Sequence, residues 1–562
     1  MEIPVVQPRP TRYAATMIVV RESPAGVEVL MLRRAGTSDP DDHNSGAWVF
    51  PGGVVDASDR QWHVFCNEPD DGLFSARLGL SSGGLDFHVA AIRECFEEAG
   101  LLFATTGDGS LVNAELPLDP PLIEWRSLLH RGERTLGDLC ERAGLKLSVD
   151  RLMYLSHWLT PVGRAKRFDT RFFLAIAPTG QTPMHDGIET VESRWVSAAD
   201  ALVDGPGALK LLTPTRSTLT ALARFDSLQA LLDWAQTPRK VMLTLPRLAT
   251  GSRGLESVSP QHGAWAELGR LDPAGLGRAS HEIRPGVAVR LSLRVIRVTA
   301  PNAGMMTGPG TNSYLVGGGP RNEWAVIDPG PAQTDAIDAL LAATPGPIRW
   351  IFVTHTHVDH SPGAALLKER TGAQVHGQLP AYPHGQDPGF TPDQRVHDGD
   401  RFTLGDGVTL RAIHTPGHAS NHFCYLLEEE KTLFTGDHVM QGSTVVIRPP
   451  DGDMSAYLAS LRMLLSLDVE WLAPGHGFLI SPPAEAIESL LRHRLRREAK
   501  VVSVLHEFGP TTIETLLKRV YDDVDPRLHR VAQGSLEAHL IRLQKEQVAT
   551  HNNALWSAGA AS

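Results

Sequence analysis

Trp350-Ile351-Phe352-Val353-Thr354-His355-Thr356-His357-Val358-Asp359-His360 is four apolar residues running straight into three histidines and an aspartate. A short unbroken apolar run of this kind reads as a buried strand. Its end therefore projects several ligand-type side chains into one small volume. The same arrangement recurs further along the chain. His418 in Thr415-Pro416-Gly417-His418 follows a strand-like run at 410–413, and Asp437 in Thr435-Gly436-Asp437-His438 follows one at 432–434. His476 in Pro474-Gly475-His476-Gly477 follows one at 471–473. Ligand-type residues placed after successive strands predict loops converging at one edge of a β-layered fold.

His355-Thr356-His357-Val358-Asp359-His360 resembles the HxHxDH signature of the metallo-β-lactamase superfamily, and His418, Asp437 and His476 follow in the order of its later motifs. Asp328, ending Ala325-Val326-Ile327-Asp328, resembles the opening motif, so the likeness spans about residues 290–480. The resemblance implies one metal on His355, His357 and His418, a second on Asp359, His360 and His476, and Asp437 bridging them. A set of imidazoles and carboxylates without thiolate suits two Zn²⁺, with Mn²⁺ or Fe as competitors. Paired metals about 3.5–4 Å apart share a water whose pKa falls to about 7, and the bridging hydroxide attacks a carbonyl or phosphoryl centre. In that scheme Asp359 and Asp437 are both catalytic and ligating, and Asp328 orients the ligand loop. His414, His422 and His438 lie beside the motifs but outside the implied ligand set, and read as packing or hydrogen-bonding residues.

The type of hydrolase is narrowed by what surrounds the ligands. The interval of 39 positions from Asp437 to His476 has no room for the inserted domain of the β-CASP RNA-processing branch. Asp437 also stands where one large class of true β-lactamases has a zinc-binding cysteine. Pro301-Asn302, Gly310-Thr311-Asn312-Ser313-Tyr314-Leu315-Val316, Gly436-Asp437-His438 and Met454-Ser455-Ala456-Tyr457-Leu458-Ala459-Ser460-Leu461 resemble the β-lactamase-like protein 2 group. So do His493-Arg494-Leu495-Arg496-Arg497-Glu498 and Ser535-Leu536-Glu537-Ala538-His539-Leu540 in the tail. That likeness implies a small winged-helix-like C-terminal domain. The group includes single-strand endoribonucleases, and its glyoxalase II-like relatives cleave thioesters. The metal motif serves both reactions. The tail mixes Arg492, Arg494, Arg496, Arg497 and Lys500 with Asp522, Asp523 and Asp525, which leaves an RNA channel and a solvated helix equally open.

The first half of the chain carries a second pattern. Gly53-Val54-Val55-Asp56-Ala57-Ser58-Asp59 and Arg93-Glu94-Cys95-Phe96-Glu97-Glu98-Ala99-Gly100-Leu101 resemble the two halves of a Nudix box, and 33 residues separate Asp59 from Arg93. Such a split box, with Phe50-Pro51-Gly52-Gly53 and Lys166-Arg167-Phe168-Asp169-Thr170-Arg171-Phe172-Phe173, is similar to acyl-CoA diphosphatases of peroxisomal type. Glu94, Glu97 and Glu98 stand at i, i+3 and i+4, one face of a helix spanning 87–102. Like charges on one face call for a cation, so catalytic Mg²⁺ or Mn²⁺ ligands are expected there, with diphosphate oxygens completing the shell. Asp59 stands where the family has a longer glutamate.

A chain of 562 residues exceeds one ordinary core. The pattern predicts an α/β multidomain protein: a Nudix α/β/α domain at 1–240, a connection at 241–288, a metallo-β-lactamase αββα sandwich at 289–481 and a winged-helix-like α domain at 482–562. The connection is assigned because 250–285 is rich in Gly, Ser, Pro and Arg with weak periodicity. A net charge of −11 disfavours a general polyanion binder. Four scattered cysteines argue against a disulfide scaffold. No run long enough to span a bilayer and no signal pattern at Met1-Glu2-Ile3-Pro4 lead to the expectation of a cytoplasmic enzyme without membrane contact. The partners expected are a small thioester, a CoA- or nucleotide-type diphosphate, or single-stranded RNA; oligomeric state is left open. Two readings follow. One is a bifunctional hydrolase. The other is a single hydrolase whose Nudix domain and tail are nucleotide- or RNA-binding modules.

Overall fold

The computed structural model describes residues 10–559 apart from 25, 38–43, 114, 115, 117 and 406, so the Met1-Glu2-Ile3-Pro4 stretch read for a signal lies outside the described residues. The chain divides into two compact units, one of 1–249, 255–260 and 274–278, the other of 250–254, 261–273 and 279–562.

The first unit is built on an eight-stranded sheet whose central strand, Thr11–Ser23, runs parallel to Arg167–Ile176 and antiparallel to Gly26–Arg34. Strand side chains alternate between faces. Here both faces are covered: Ala15, Met17 and Val19 enter one core, while Ile18 and Val20 enter the other. The helix Gly84–Ala99 lies in the first core. It starts and stops three residues before the span expected from its pattern. Gly100, at φ 70° with its N–H on the Phe96 carbonyl, ends it in the left-handed conformation that glycine accepts without strain. The residues that split the Nudix box fold into the helix Asp71–Leu78, which approaches so closely that a Cβ on Gly84 would lie 2.3 Å from Ser75 N.

In the second unit a seven-stranded sheet and a five-stranded sheet face one another. Val295, Tyr314, Ile327 and Phe352 from the first meet Leu410, Tyr425, Phe434 and Ala473 from the second. The alternate residues of the first sheet, among them Ile296, Val326 and Ile351, pack outward under the helices Thr334–Ala343 and Gly363–Thr371. Ile413, Leu426 and Leu472 do the same beneath Met454–Leu464 and the start of Pro483–Phe508. The result is the αββα sandwich expected. A fourth cluster joins Val501, Leu505, Leu516, Leu536, Leu540 and Trp556 into a winged-helix region.

The tail is the winged-helix region expected, and its helices are followed by an antiparallel hairpin, Ala549–Asn552 with Leu555–Ala558. Trp556 on that hairpin supplies the burial that a four-residue strand cannot signal in sequence. The stretch 241–288 is also folded: it carries the strands Leu243–Thr244, Arg247–Gly251 and Gly254–Val258 and the helix Trp265–Leu271. Composition hid these because each is too short to show a period. All four cysteines are buried without a disulfide. Among the described residues no helix is long and apolar enough to cross a membrane.

Candidate metal centre

The strands that carry the motifs end at one edge of the sandwich. Ile327 lies beside Phe352 and Phe434 beside Ala473 in parallel register, so within each pair both strands leave the sheet at the same end. Asp328 follows Ile327 with φ 50°, a left-handed conformation uncommon outside glycine. Its buried carboxylate accepts hydrogen bonds from Thr354 N and Thr354 Oγ1, each 2.7 Å, and lies 2.9 Å from His360 Nδ1. The strained residue thus pins the histidine loop to the strand beside it.

The structure brings all seven expected side chains together. Donor atoms of His355, His357 and His418 lie within 4.8 Å of one another, as do those of Asp359, His360 and His476, and those of His355, His360 and Asp437. His357 Nδ1 is 2.9 Å from both His355 Nε2 and His418 Nε2. Asp437 Oδ1 is 3.3 Å from His360 Nε2 and from His476 Nε2, and Asp437 Oδ2 is 3.7 Å from His418 Nε2. Glycine is required at 475 by close approach: a Cβ there would sit 2.7 Å from Asp437 Oδ1.

These groups fit a cation. His360 Nε2, His476 Nε2 and Asp437 Oδ1 are buried without a hydrogen-bond partner among the described residues. Buried polar atoms are ordinarily satisfied, and several orphans aimed at one point are the mark of an ion's position. The outer ring nitrogens are meanwhile held: His418 Nδ1 is 2.7 Å from Val446 O, His476 Nδ1 3.1 Å from Gly310 O and His355 Nδ1 3.0 Å from Thr354 Oγ1. Such partners fix the tautomer, leaving the inner nitrogen's lone pair free. The two halves also differ in charge. Burial and the neighbouring His418 push His357 down to about 3. Burial opposes charge on His476 too, but Asp437 and Asp359 outweigh it and lift that imidazole to about 9. One set holds imidazoles alone, while the other includes the Asp359 carboxylate.

The three histidines given a packing role stay outside these sets. His414 Nε2 is 3.1 Å from Ser420 O, His422 Nδ1 is 2.9 Å from Thr415 Oγ1, and His438 packs 4.8 Å from the Tyr457 ring. Thr311 stands in sequence only as one residue of a family motif, yet its Oγ1 donates to Asp359 Oδ2 at 3.3 Å. Nothing in a lone threonine signals that role.

In the first unit Glu94, Glu97 and Glu98 emerge from the helix Gly84–Ala99, but they are not equally placed. Arg93 Nη1 donates to Glu94 Oε1 at 2.7 Å and to Glu97 Oε2 at 3.1 Å, while Glu98 Oε2 accepts from Gly52 N at 2.9 Å. Among the described residues the three do not form one set of oxygens within 4.8 Å as the histidines do. Burial pushes Glu94 up to about 7 and Glu98 up to about 8, a cost that a bound cation would relieve. Asp59, fully buried, takes Arg93 Nε and Nη2 at 2.9 and 3.1 Å. The shorter carboxylate therefore still anchors the arginine that gathers the glutamates. A cavity of about 310 Å³ opens here, lined by Arg12, Trp62, Glu94, Glu97 and Arg134. His63, Asp71 and Asp86 form a further close group. Their bonds serve structure: Asp71 accepts from Gly83 N and Leu85 N, clasping the inserted residues to the start of the helix.

Comparison with known proteins agrees with this geometry. Residues 306–476 match the metallo-beta-lactamase superfamily model. A beta-lactamase-like protein 2 homolog from Caenorhabditis elegans is 32% identical over 263 residues, covering 46% of this chain and 87% of that protein. The chain belongs to the metallo-β-lactamase superfamily. Residues 11–204 match the NUDT19 Nudix domain model and 512–556 the beta-lactamase associated winged helix domain model. An atrochrysone carboxyl ACP thioesterase from Aspergillus chevalieri is 35% identical over 246 residues, 42% of this chain and 75% of that one. A metallo-beta-lactamase family protein from Thermus thermophilus superposes with TM-score 0.41 at 23% identity, over 48% of this chain and 100% of its own. The protein is accordingly a hydrolase, and its fold implies divalent metal binding.

One support of the metallo-β-lactamase unit escaped the sequence. Arg297 lies inside the fully buried strand Val295–Thr299 and pairs with Glu267 at 2.6 and 2.9 Å; both side chains are 2% exposed. Arg297 also donates to Gly477 O at 3.4 Å, and Glu267 Oε2 accepts from Leu479 N at 2.8 Å. The pair thus grips the chain on both sides of Phe478, just beyond His476. A charged residue inside an apolar strand was the available signal. Glu267→Ala leaves a buried guanidinium unpaired, at a cost of about 3–5 kcal/mol. We expect a lower melting temperature and weaker metal retention, read by calorimetry and metal analysis; an unchanged melting temperature would refute the role.

Proposed function

We propose that the second unit hydrolyses thioesters at a dinuclear, zinc-type centre. His355, His357 and His418 would hold one ion and Asp359, His360 and His476 the other, with Asp437 close to both sets. The observation that carries the metal assignment is the convergence of unpartnered, buried His360 Nε2, His476 Nε2 and Asp437 Oδ1. Bound ions of this kind make water nucleophilic near neutral pH and stabilise the anion formed at an attacked carbonyl. The chain's own residues hold the outer ring nitrogens, through Thr354, Asp328, Val446 and Gly310, and keep Asp359 oriented through Thr311.

A thioester is favoured over RNA on two grounds. Relatives at 35–36% identity over this unit are named as acyl carrier thioesterases. The tail's basic residues are also largely engaged: Arg492 pairs with Glu488, Arg497 with Asp523 and Lys500 with Asp522, while Arg494 turns inward to Val445 O. For the first unit we propose Mg²⁺- or Mn²⁺-dependent cleavage of nucleoside or CoA-type diphosphates, with Glu94, Glu97 and Glu98 as ligands. The purified chain is expected to carry about two transition-metal ions and to cleave an acyl thioester but not single-stranded RNA, with activity lost on chelation. RNA cleavage that is equally sensitive to chelation, without thioester cleavage, would reverse the assignment.

A further inference from the structure

A cavity of about 450 Å³ opens between the loop that leaves Asp437 and one face of the helix Pro483–Phe508. It is built from three kinds of group. Met440 and Leu490 contribute apolar surface, Ser443, Thr444 and Ser489 bring hydroxyls, and His493 and Arg496 add an imidazole and a guanidinium. Ser489, His493 and Arg496 occupy i, i+4 and i+7, a single helix face. Among the described residues no carboxylate lines the cavity.

Arg496 is exposed, and among the described residues its Nε donates only to Arg492 O, 3.3 Å away in the same helix. Among the described residues no carboxylate pairs with it, whereas Arg492, Arg497 and Lys500 each have one. Burial, then the charges of Arg494, Arg497 and Arg496, push His493 below its ordinary range, with Asp523 opposing them. An exposed guanidinium free to offer a planar fork of N–H groups suits a phosphate.

The loop ties this cavity to the metal centre. It begins at Asp437, and at its far end Val446 O holds His418 Nδ1 at 2.7 Å. Beside that contact, Val445 O takes Arg494 from the same helix that forms the opposite wall. One wall is therefore fastened at both ends to residues of the centre.

We propose that this cavity receives the phosphopantetheine arm of a thioester substrate. Arg496 takes the phosphate, the Ser443, Thr444 and Ser489 hydroxyls meet the amides, and the branched dimethyl carbon lies on Met440 and Leu490. The thioester end then runs along the loop toward Asp437 and His418. This assignment rests on the thioesterase reading. The arm is common to coenzyme A and acyl carrier proteins, so either source presents the same chemistry.

The test uses the full-length, metal-loaded protein. Calorimetry with 4′-phosphopantetheine and with pantetheine is expected to show wild type preferring the phosphorylated form by about tenfold or more, as a charge-assisted hydrogen bond supplies. Arg496→Gln should erase that preference and Arg496→Lys restore part of it. In turnover, Arg496→Gln should raise the KM ratio of a CoA-linked to an N-acetylcysteamine-linked thioester by about tenfold. A carrier-bound thioester run in parallel identifies the source: a larger shift there than with the CoA form names the carrier. Equal binding of the two ligands by wild type overturns the proposal. So does an Arg496→Gln effect confined to single-stranded RNA. A tenfold preference without any thioester turnover supports the subsite and overturns the thioesterase reading instead.

Discussion

His357→Ala is expected to lower metal content from about two ions per chain to about one and to reduce hydrolysis by more than about a hundredfold. The magnitude follows from position. His357 Nδ1 stands 2.9 Å from both His355 Nε2 and His418 Nε2, so its removal takes the shared vertex from one set and leaves two imidazoles to hold an ion. Losing a residue one bond further out already costs about 10–100-fold in metal affinity or activity, and a ligand must exceed that. The set of Asp359, His360 and His476 does not include His357 and is expected to keep its ion. Asp437→Asn makes the contrast, because its two oxygens face His360 and His476 on one side and His418 on the other. Weakening that carboxylate should empty both positions. Inductively coupled plasma mass spectrometry and turnover measured on one preparation decide the matter. Two ions and full activity in His357→Ala would refute the assignment.

The metal centre was legible because its residues are chemically unusual and sit at strand ends. An apolar tetrad before three histidines states both the strand and the site, and the later motifs repeat that grammar. What sequence left hidden acts through backbone or through distant pairing. Gly475 matters for the Cβ it lacks, Thr311 for a hydroxyl that reaches Asp359, and Glu267 for a partner on another element. The strand Phe423–Leu427 is buried at every position, so it shows no alternation to separate it from its surroundings. The helix Trp265–Leu271, inside what composition marked as a connection, is seven residues long and carries the buried Glu267. Short elements lack a period, and a buried charge declares itself only once its partner is placed.

Glu97→Gln and Glu98→Gln are each expected to cut Mg²⁺-dependent diphosphate cleavage by more than about a hundredfold, for different reasons. Glu98 is 5% exposed and accepts from Gly52 N. A glutamine oxygen can still accept that bond, so the turn carrying the first half-box should survive while the charge needed by a hard cation is gone. Glu97 lies nearer the cavity and shares Arg93 with Glu94. Its amide would loosen that junction as well as remove a ligand. Mg²⁺ affinity should therefore fall in both variants, while thermal stability changes more in Glu97→Gln than in Glu98→Gln. Titrating Mg²⁺ against turnover of a CoA-type diphosphate, with melting curves alongside, separates these effects. If wild type binds the diphosphate but never cleaves it, the glutamates form a recognition surface and the first unit is a binding module. Arg93 argues for catalysis. With Asp59 buried behind it and Glu94 and Glu97 in front, it opposes the burial that raises both glutamates and pushes Glu94 up to about 7 beside an open cavity, a tension that a recognition surface has no use for.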